Sequence, residues 1–208
     1  MLQDVLKRIE SACLEVGRNP GSVKLIAVTK AHDLEEIEAR VLRFPHRIVG
    51  ENRVQEALPK MEAHPNLEWH LIGHLQTNKV KYCQGFSAIH SVDSAKLLEE
   101  IARRGATWER TPQLFLEINT GGEAQKHGAT VNEAAGLLEV ARGLGLNVVG
   151  LMTVAPQGLE RAREAFRALR ELRDALGLKE LSMGMSDDLE VAIAEGATLV
   201  RVGRAVFS

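Results

Sequence analysis

"ELSMGMSDDLEVAIAEGATLVRVGR", residues 180–204, contains a strand, a loop, a helix and a second strand in one short stretch. The run "ELSMGMS" from 180 is apolar and small. A helix-like run starts near Asp188, and "TLVRVGR" from 198 is again β-branched and apolar. Strands that read as nearly continuous apolar runs and alternate with amphipathic helices belong to parallel sheets covered by helices.

The same unit recurs outward from this stretch over the whole chain. Further strands are expected at "VKLIAVTK" from 23, "RIVGEN" from 47, "EWHLIG" from 68, "AIHSVD" from 88, "PQLFLEINT" from 112 and "NVVGLMTVA" from 147, which makes eight. Helix-like runs such as "LEEIEARVLR", "SAKLLEEIARRG", "NEAAGLLEVARGLG" and "ERAREAFRALRELRDALG" separate them, several opened by Asp, Ser or Asn and closed by Gly. The last of these reads as an outer helix laced with i,i+4 charge pairs. Eight strand–helix units in 208 residues predict an α/β fold, a single closed (β/α)8 TIM-type barrel spanning residues 1–208. An extra N-terminal helix is expected at residues 2–17, and no helix after the eighth strand.

Composition narrows the function. The chain has 45% hydrophobic and 26% charged residues and a net charge of −2, so no general field attracts nucleic acid or an anionic membrane. No stretch has the length of a membrane span, and "MLQDVLKRIESACLEVG" lacks a signal-peptide core, so a cytoplasmic protein is expected. Cys13 and Cys83 have no CxxC spacing and read as packing residues. His70 and His74 in "HLIGH" stand four apart on a strand, with no third ligand at metal-binding spacing, so no metal is expected.

Active sites of such barrels lie where the strands end and the βα loops converge. Lys30 ends the first strand, Glu51 and Asn52 the second, and His74, Gln76 and Asn78 follow the third. Asp93 ends the fourth, Asn119 and Thr120 the fifth. Met152 and Thr153 lie near the end of the sixth, Ser186 closes the seventh, and Arg201, Gly203 and Arg204 end the eighth. Alone, Lys30 reads equally as a solvated strand end. The loop Ser182–Ser186 leading into a helix, with Gly203 and Arg204 beside it, suits an anion, although Ser186 and the two following aspartates also serve as simple helix caps. A lysine at one side of the mouth and an anion cradle at the other suit a phosphorylated aldehyde. Lysine attacks a carbonyl only as free amine, and the apolar run "LIAV" is expected to supply the desolvation that frees it.

The motifs "AVTK", "GENRVQE", "WHLIGHLQTNK", "SVDS", "LEINTGGEAQKHG", "GLMTVAP" and "LSMGMSDDLEVAIAEGATLVRVGRAVF" occur in order over residues 23–207. In these the chain resembles the pyridoxal 5'-phosphate (PLP) homeostasis proteins, or proline synthase co-transcribed homologues, whose fold is similar to the barrel of alanine racemase. The resemblance implies that Lys30 carries PLP as a Schiff base. It implies that Ser186, Gly203 and Arg204 hold the phosphate, that Arg201 faces the pyridine nitrogen, and that Asn52 and Met152 line the ring pocket. Arg204 stands where some members have Thr, and His127 where Ser is frequent. An arginine at the ring nitrogen disfavours its protonation and so restrains carbanion chemistry.

The function the resemblance implies is intracellular PLP (vitamin B6) homeostasis, buffering or delivering PLP to apo-enzymes that use it, with effects on amino-acid balance. A monomer is expected, a dimer being the alternative. A PLP-dependent racemase ranks second, because the chain stops soon after its eighth strand and its one tyrosine, Tyr82, follows the third strand. A Schiff-base aldolase, from fold analogy alone, ranks third.

Overall fold

In the computed structural model, which describes residues 1–123 and 127–208, eight parallel strands close into one barrel in sequence order. They are β1 (Lys24–Val28), β2 (Ile48–Glu51), β3 (Glu68–Leu71), β4 (Ala88–Val92), β5 (Gln113–Glu117), β6 (Val148–Met152), β7 (Glu180–Ser182) and β8 (Leu199–Val202). Every expected strand is present, and each ends earlier than its apolar run. The residues just beyond the strands, from Thr29 and Lys30 after the first to Gly203 after the eighth, line the barrel mouth.

Side chains alternate along the strands. Leu25, Ala27, Val200 and Val202 belong to the large core between barrel and helices. Ile26, Ala88, Phe115, Met152 and Leu199 form a separate cluster inside the barrel. This period of two across a closed sheet is why both faces of each strand read as buried. A cavity of about 680 Å³, bordered by Lys24, Glu68, His70, Gln113 and Glu180, lies at the strand starts, the end opposite the mouth.

The outer layer contains α1 (Leu2–Glu15), α2 (Leu34–Ile37), α3 (Val54–Ala63), α4 (Ala95–Gly105), α5 (Ala134–Gly143), α6 (Leu159–Leu176), α7 (Leu189–Ala194) and α8 (Arg204–Phe207). Two features depart from expectation. The run from 34 is helical only to Ile37 and continues as a π-helical turn, Glu38–Leu42. A one-turn helix, α8, does follow the eighth strand. The extra N-terminal helix buries Leu2, Val5, Ile9, Ala12 and Cys13 and packs on α7 and α8. Arg8 fastens it with hydrogen bonds to Glu190 at 2.8 Å and to the Ser186 carbonyl at 2.9 Å. No helix among the described residues is long and apolar enough to cross a membrane.

The charges of α6 also act differently from a lacing of i,i+4 pairs. Arg163, Arg167 and Arg170 converge on Glu195 at the end of α7, at 3.5, 3.2 and 2.9 Å. Glu195 is 5% exposed, so one nearly buried carboxylate joins two helices through three cations that remain partly in solvent. Hydrogen bonds to a charged group contribute about 1.5–3 kcal/mol, and solvent screening reduces this for the more exposed pairs. Glu195→Gln, which keeps one acceptor, is expected to lower the unfolding free energy by about 1–2 kcal/mol. Urea denaturation checks this, and an unchanged midpoint contradicts it.

Candidate functional site at the barrel mouth

Lys30 is exposed, immediately after the fully buried Thr29. The expected desolvation by "LIAV" therefore does not reach its ammonium group, because burial along β1 ends one residue earlier. What fixes Lys30 is its anchorage. The Thr29 N–H donates to the Gly50 carbonyl at 2.9 Å, and its hydroxyl donates to Glu51 Oε1 at 2.7 Å. Lys60, from α3, donates to both the Thr29 carbonyl at 2.8 Å and Glu51 Oε1 at 2.6 Å. Glu51 is fully buried, its Oε2 has no hydrogen-bond partner among the described residues, and Lys60 is the cation paired with its Oε1. Ala31, at φ 64°, is the one non-glycine with positive φ among the described residues. That conformation costs roughly 1–2 kcal/mol, and it turns the chain away directly after Lys30.

Arg201 points into the barrel and is 4% exposed. Its Nη1 donates to Ser182 Oγ at 2.9 Å and its Nη2 to the Thr153 carbonyl at 2.8 Å. Ser182 Oγ lies 2.8 Å from His90 Nδ1, and His90 Nε2 lies 2.9 Å from His70 Nδ1. Arg201 only donates, so Ser182 Oγ accepts from it and keeps its O–H and a second lone pair for the contact with His90 Nδ1, while the His90–His70 contact joins one N–H donor to one acceptor nitrogen. The contacts run unbroken from Arg201 to His70, and burial disfavours the charged form of both histidines. Burial, with Lys24 nearby, pushes His70 down to about 4. Burial also holds His90 well below its ordinary value, helped by His70 and Arg201. Arg201 is lowered by burial to about 10, opposed by Glu117 and Asp188. It remains a cation at neutral pH.

The loop after β7 meets the turn after β8. Ser186 is half-buried, and its Oγ accepts from the Ala205 N–H at 3.5 Å. Gly184 has φ 94°, and a Cβ there would press on Ala192 and Val200, so the small residue allows the loop to lie against the α7 and β8 side chains. Gly203 sits against β1, where a Cβ would lie 3.3 Å from Val28. The Arg204 side chain goes elsewhere: Nη2 pairs with both oxygens of Asp187, at 2.5 Å, on an exposed surface. Only the backbone of Arg204 faces this turn, as part of α8. Asp188 Oδ1 accepts from the Met185 N–H at 2.5 Å and so closes the loop itself.

Two further positions complete the mouth. Asn52 is half-buried after β2, and the next loop packs so tightly on it that a Cβ on Gly73 would overlap the Asn52 carbonyl. Met152, 1% exposed, belongs to the apolar cluster inside the barrel and closes it from below. Sequence reasoning missed Lys60, His90 and Glu117, and read Ser182 as part of the anion loop, whereas it ends β7 and holds Arg201. Alternation along β4, β5 and β7 would have placed His90, Glu117 and Ser182 inside the barrel. Nothing local marks Lys60, whose partners lie on other elements.

The family model for the alanine racemase N-terminal domain matches residues 6–208. The pyridoxal phosphate homeostasis protein of Deinococcus radiodurans is 43% identical over 205 residues, covering 98% of both chains. That of Aquifex aeolicus is 44% identical over 218 residues, covering 99% of this chain and 95% of the relative. The solved structure of PipY from Synechococcus elongatus with PLP bound superposes with a TM-score of 0.80 at 35% identity, covering 96% of this chain and all of that one.

Glu117, at the end of β5, is 9% exposed. Burial raises its carboxyl from the ordinary 4.5 to about 7, Asp93 adding to the shift and Arg201 opposing it. The folded protein therefore keeps this proton between pH 4.5 and 7 while the unfolded chain loses it. The associated stability is full below 4.5 and lost as pH rises to about 7. His70 acts in the opposite sense, losing stability as pH falls from 6.5 towards 4. Glu117→Gln removes the first effect alone. In urea denaturation of the PLP-free protein, its stability relative to wild type is expected to rise by up to ~3 kcal/mol from pH 4.5 to 7. A difference independent of pH contradicts this.

Proposed function

The chain belongs to the alanine racemase N-terminal domain family, and from that premise we propose that it binds pyridoxal 5'-phosphate at the barrel mouth and serves in PLP homeostasis. The observation that carries the reading is the pairing of β1 with β8. It brings the exposed Lys30 to the strand beside Gly203 and the Ser186–Ala205 contact. An accessible amine, a turn of small residues and backbone amides, and a buried cation on one rim are the groups this cofactor requires.

When bound, PLP supplies an aldehyde that condenses reversibly with a primary amine, together with an electron-withdrawing ring. Lys30 is the amine, held in place by the Thr29–Glu51–Lys60 anchor and free in solvent at its tip. Ser186 and the backbone of Gly203 and Arg204 receive the phosphate, the Arg204 guanidinium remaining with Asp187. Asn52 and Met152 border the ring. Arg201, fixed by Ser182 and Thr153, presents its remaining N–H groups to the ring nitrogen and repels a proton from it. A cation there limits electron withdrawal into the ring, which favours holding the cofactor over transforming an amino acid on it.

The exposure of Lys30 suits exchange with other proteins. The chain accordingly buffers PLP and delivers it in the cytoplasm to apo-enzymes, affecting amino-acid balance. A racemase ranks below this because Tyr82, the sole tyrosine, lies in the 3-10 segment Thr77–Tyr82, its ring 4.9 Å from Lys81 Nζ, and not at a strand end.

Visible absorbance of the protein loaded with PLP, fixed by borohydride, tests the reading. Wild type is expected to show the band and to reactivate an apo-enzyme. Lys30→Ala is expected to lose the band and to bind PLP at least about tenfold more weakly. An unchanged band in Lys30→Ala, or a wild-type protein that cannot be loaded, contradicts it.

A further inference from the structure

Across the mouth from Lys30, three loops bring together side chains that the PLP reading does not use. His74 follows β3, Asp93 follows β4 and His127 follows β5. Each offers a ligand atom, and these atoms lie within 4.8 Å of one another, the one such group of three among the described residues. The imidazoles of His74 and His127 stack with centroids 4.1 Å apart and planes 14° from parallel. His74 Nδ1 is 3.9 Å from Asp93 Oδ2, too far for a hydrogen bond. Other histidine–carboxylate pairs, His32 with Glu36 and His64 with Glu38, have only two members and close to 3.1 and 3.2 Å.

We propose that His74, Asp93 and His127 form a binding site for one divalent transition-metal ion at the barrel mouth. Two imidazoles and one carboxylate are the donor set for zinc, cobalt, nickel or ferrous iron, whereas calcium and magnesium take oxygen ligands. Metal–ligand bonds of about 2.0–2.1 Å place ligand atoms about 3.4 Å apart in a tetrahedral set. The three side chains therefore need to close by at most about 1.4 Å from their present spacing. His74 and His127 are exposed and Asp93 is half-buried, so side-chain rotation supplies the movement and water completes the coordination. Three protein ligands with one open position match metal centres that bind a further ligand rather than closed structural ones. The separation of the ligands along the chain is why no spacing motif reveals the site.

Cobalt(II) and zinc(II) titrations of the full chain freed of PLP, whose phosphate would itself bind metal, test the proposal. Wild type is expected to bind one cobalt ion per chain, giving visible ligand-field bands that zinc abolishes. His127→Ser and, separately, His74→Ala are expected to weaken binding at least about tenfold. Circular dichroism confirms that each variant is folded, and PLP loading of His127→Ser at wild-type level separates this site from Lys30. Retention of wild-type affinity and cobalt spectrum in either variant overturns the proposal, as does less than one cobalt per chain in wild type.

Discussion

The pairing of β1 with β8 is the constraint on which the mouth depends. Lys24 to Ala27 align in register with Leu199 to Val202, and the Lys24 N–H donates to the Thr198 carbonyl at 2.8 Å. This ladder closes the sheet between segments some 170 residues apart in the chain. It removes the two edges an open sheet would expose. It also places Ile26 opposite Arg201 and Val28 against Gly203. An amine from the start of the chain and an anion-suited turn from its end therefore share one rim. No local feature near Lys30 produces that arrangement.

Within the barrel, polarity is organised to keep Arg201 a fixed cation. Its neighbours Ser182 and Thr153 are neutral, and burial raises the carboxyl of nearby Glu117 to about 7. His90 and His70 continue the hydrogen-bonded chain away from the mouth, each held toward its neutral form by burial. The ring of His90 also stacks on Phe115 at 4.1 Å, joining the polar chain to the apolar cluster. Every buried polar atom in the chain from Arg201 to His70 Nδ1 thus has a partner, which is the condition for such a network to specify one geometry.

The fold was legible in the sequence because periodicity and length are local signals. Runs apolar on both faces, separated by amphipathic helices, define a barrel strand by strand. Strand ends were less legible. "ELSMGMS" stays apolar past Ser182 because Met183, one residue beyond β7, is still fully buried in the core and its N–H still donates to the Leu199 carbonyl of β8 at 3.1 Å. The mouth residues Lys30, Asn52, Ser186, Gly203 and Arg204 were legible as strand-end positions, but not their surroundings. The exposure of Lys30, the capture of Arg204 by Asp187 and the convergence of three arginines on Glu195 are set by packing between elements. The same holds for Lys60 and for the meeting of His74, Asp93 and His127, whose loops belong to different units of the barrel.

The central claim is that the closure of β1 on β8 assembles the PLP site, and a crystal structure of the protein soaked with PLP tests it most directly. Difference density is expected to run from Lys30 Nζ to a phosphate between Ser186 and the Gly203–Ala205 backbone, with the ring nitrogen facing Arg201. Density attached to another lysine, or lodged in the cavity at the strand starts beside Lys24 and His70, would contradict it.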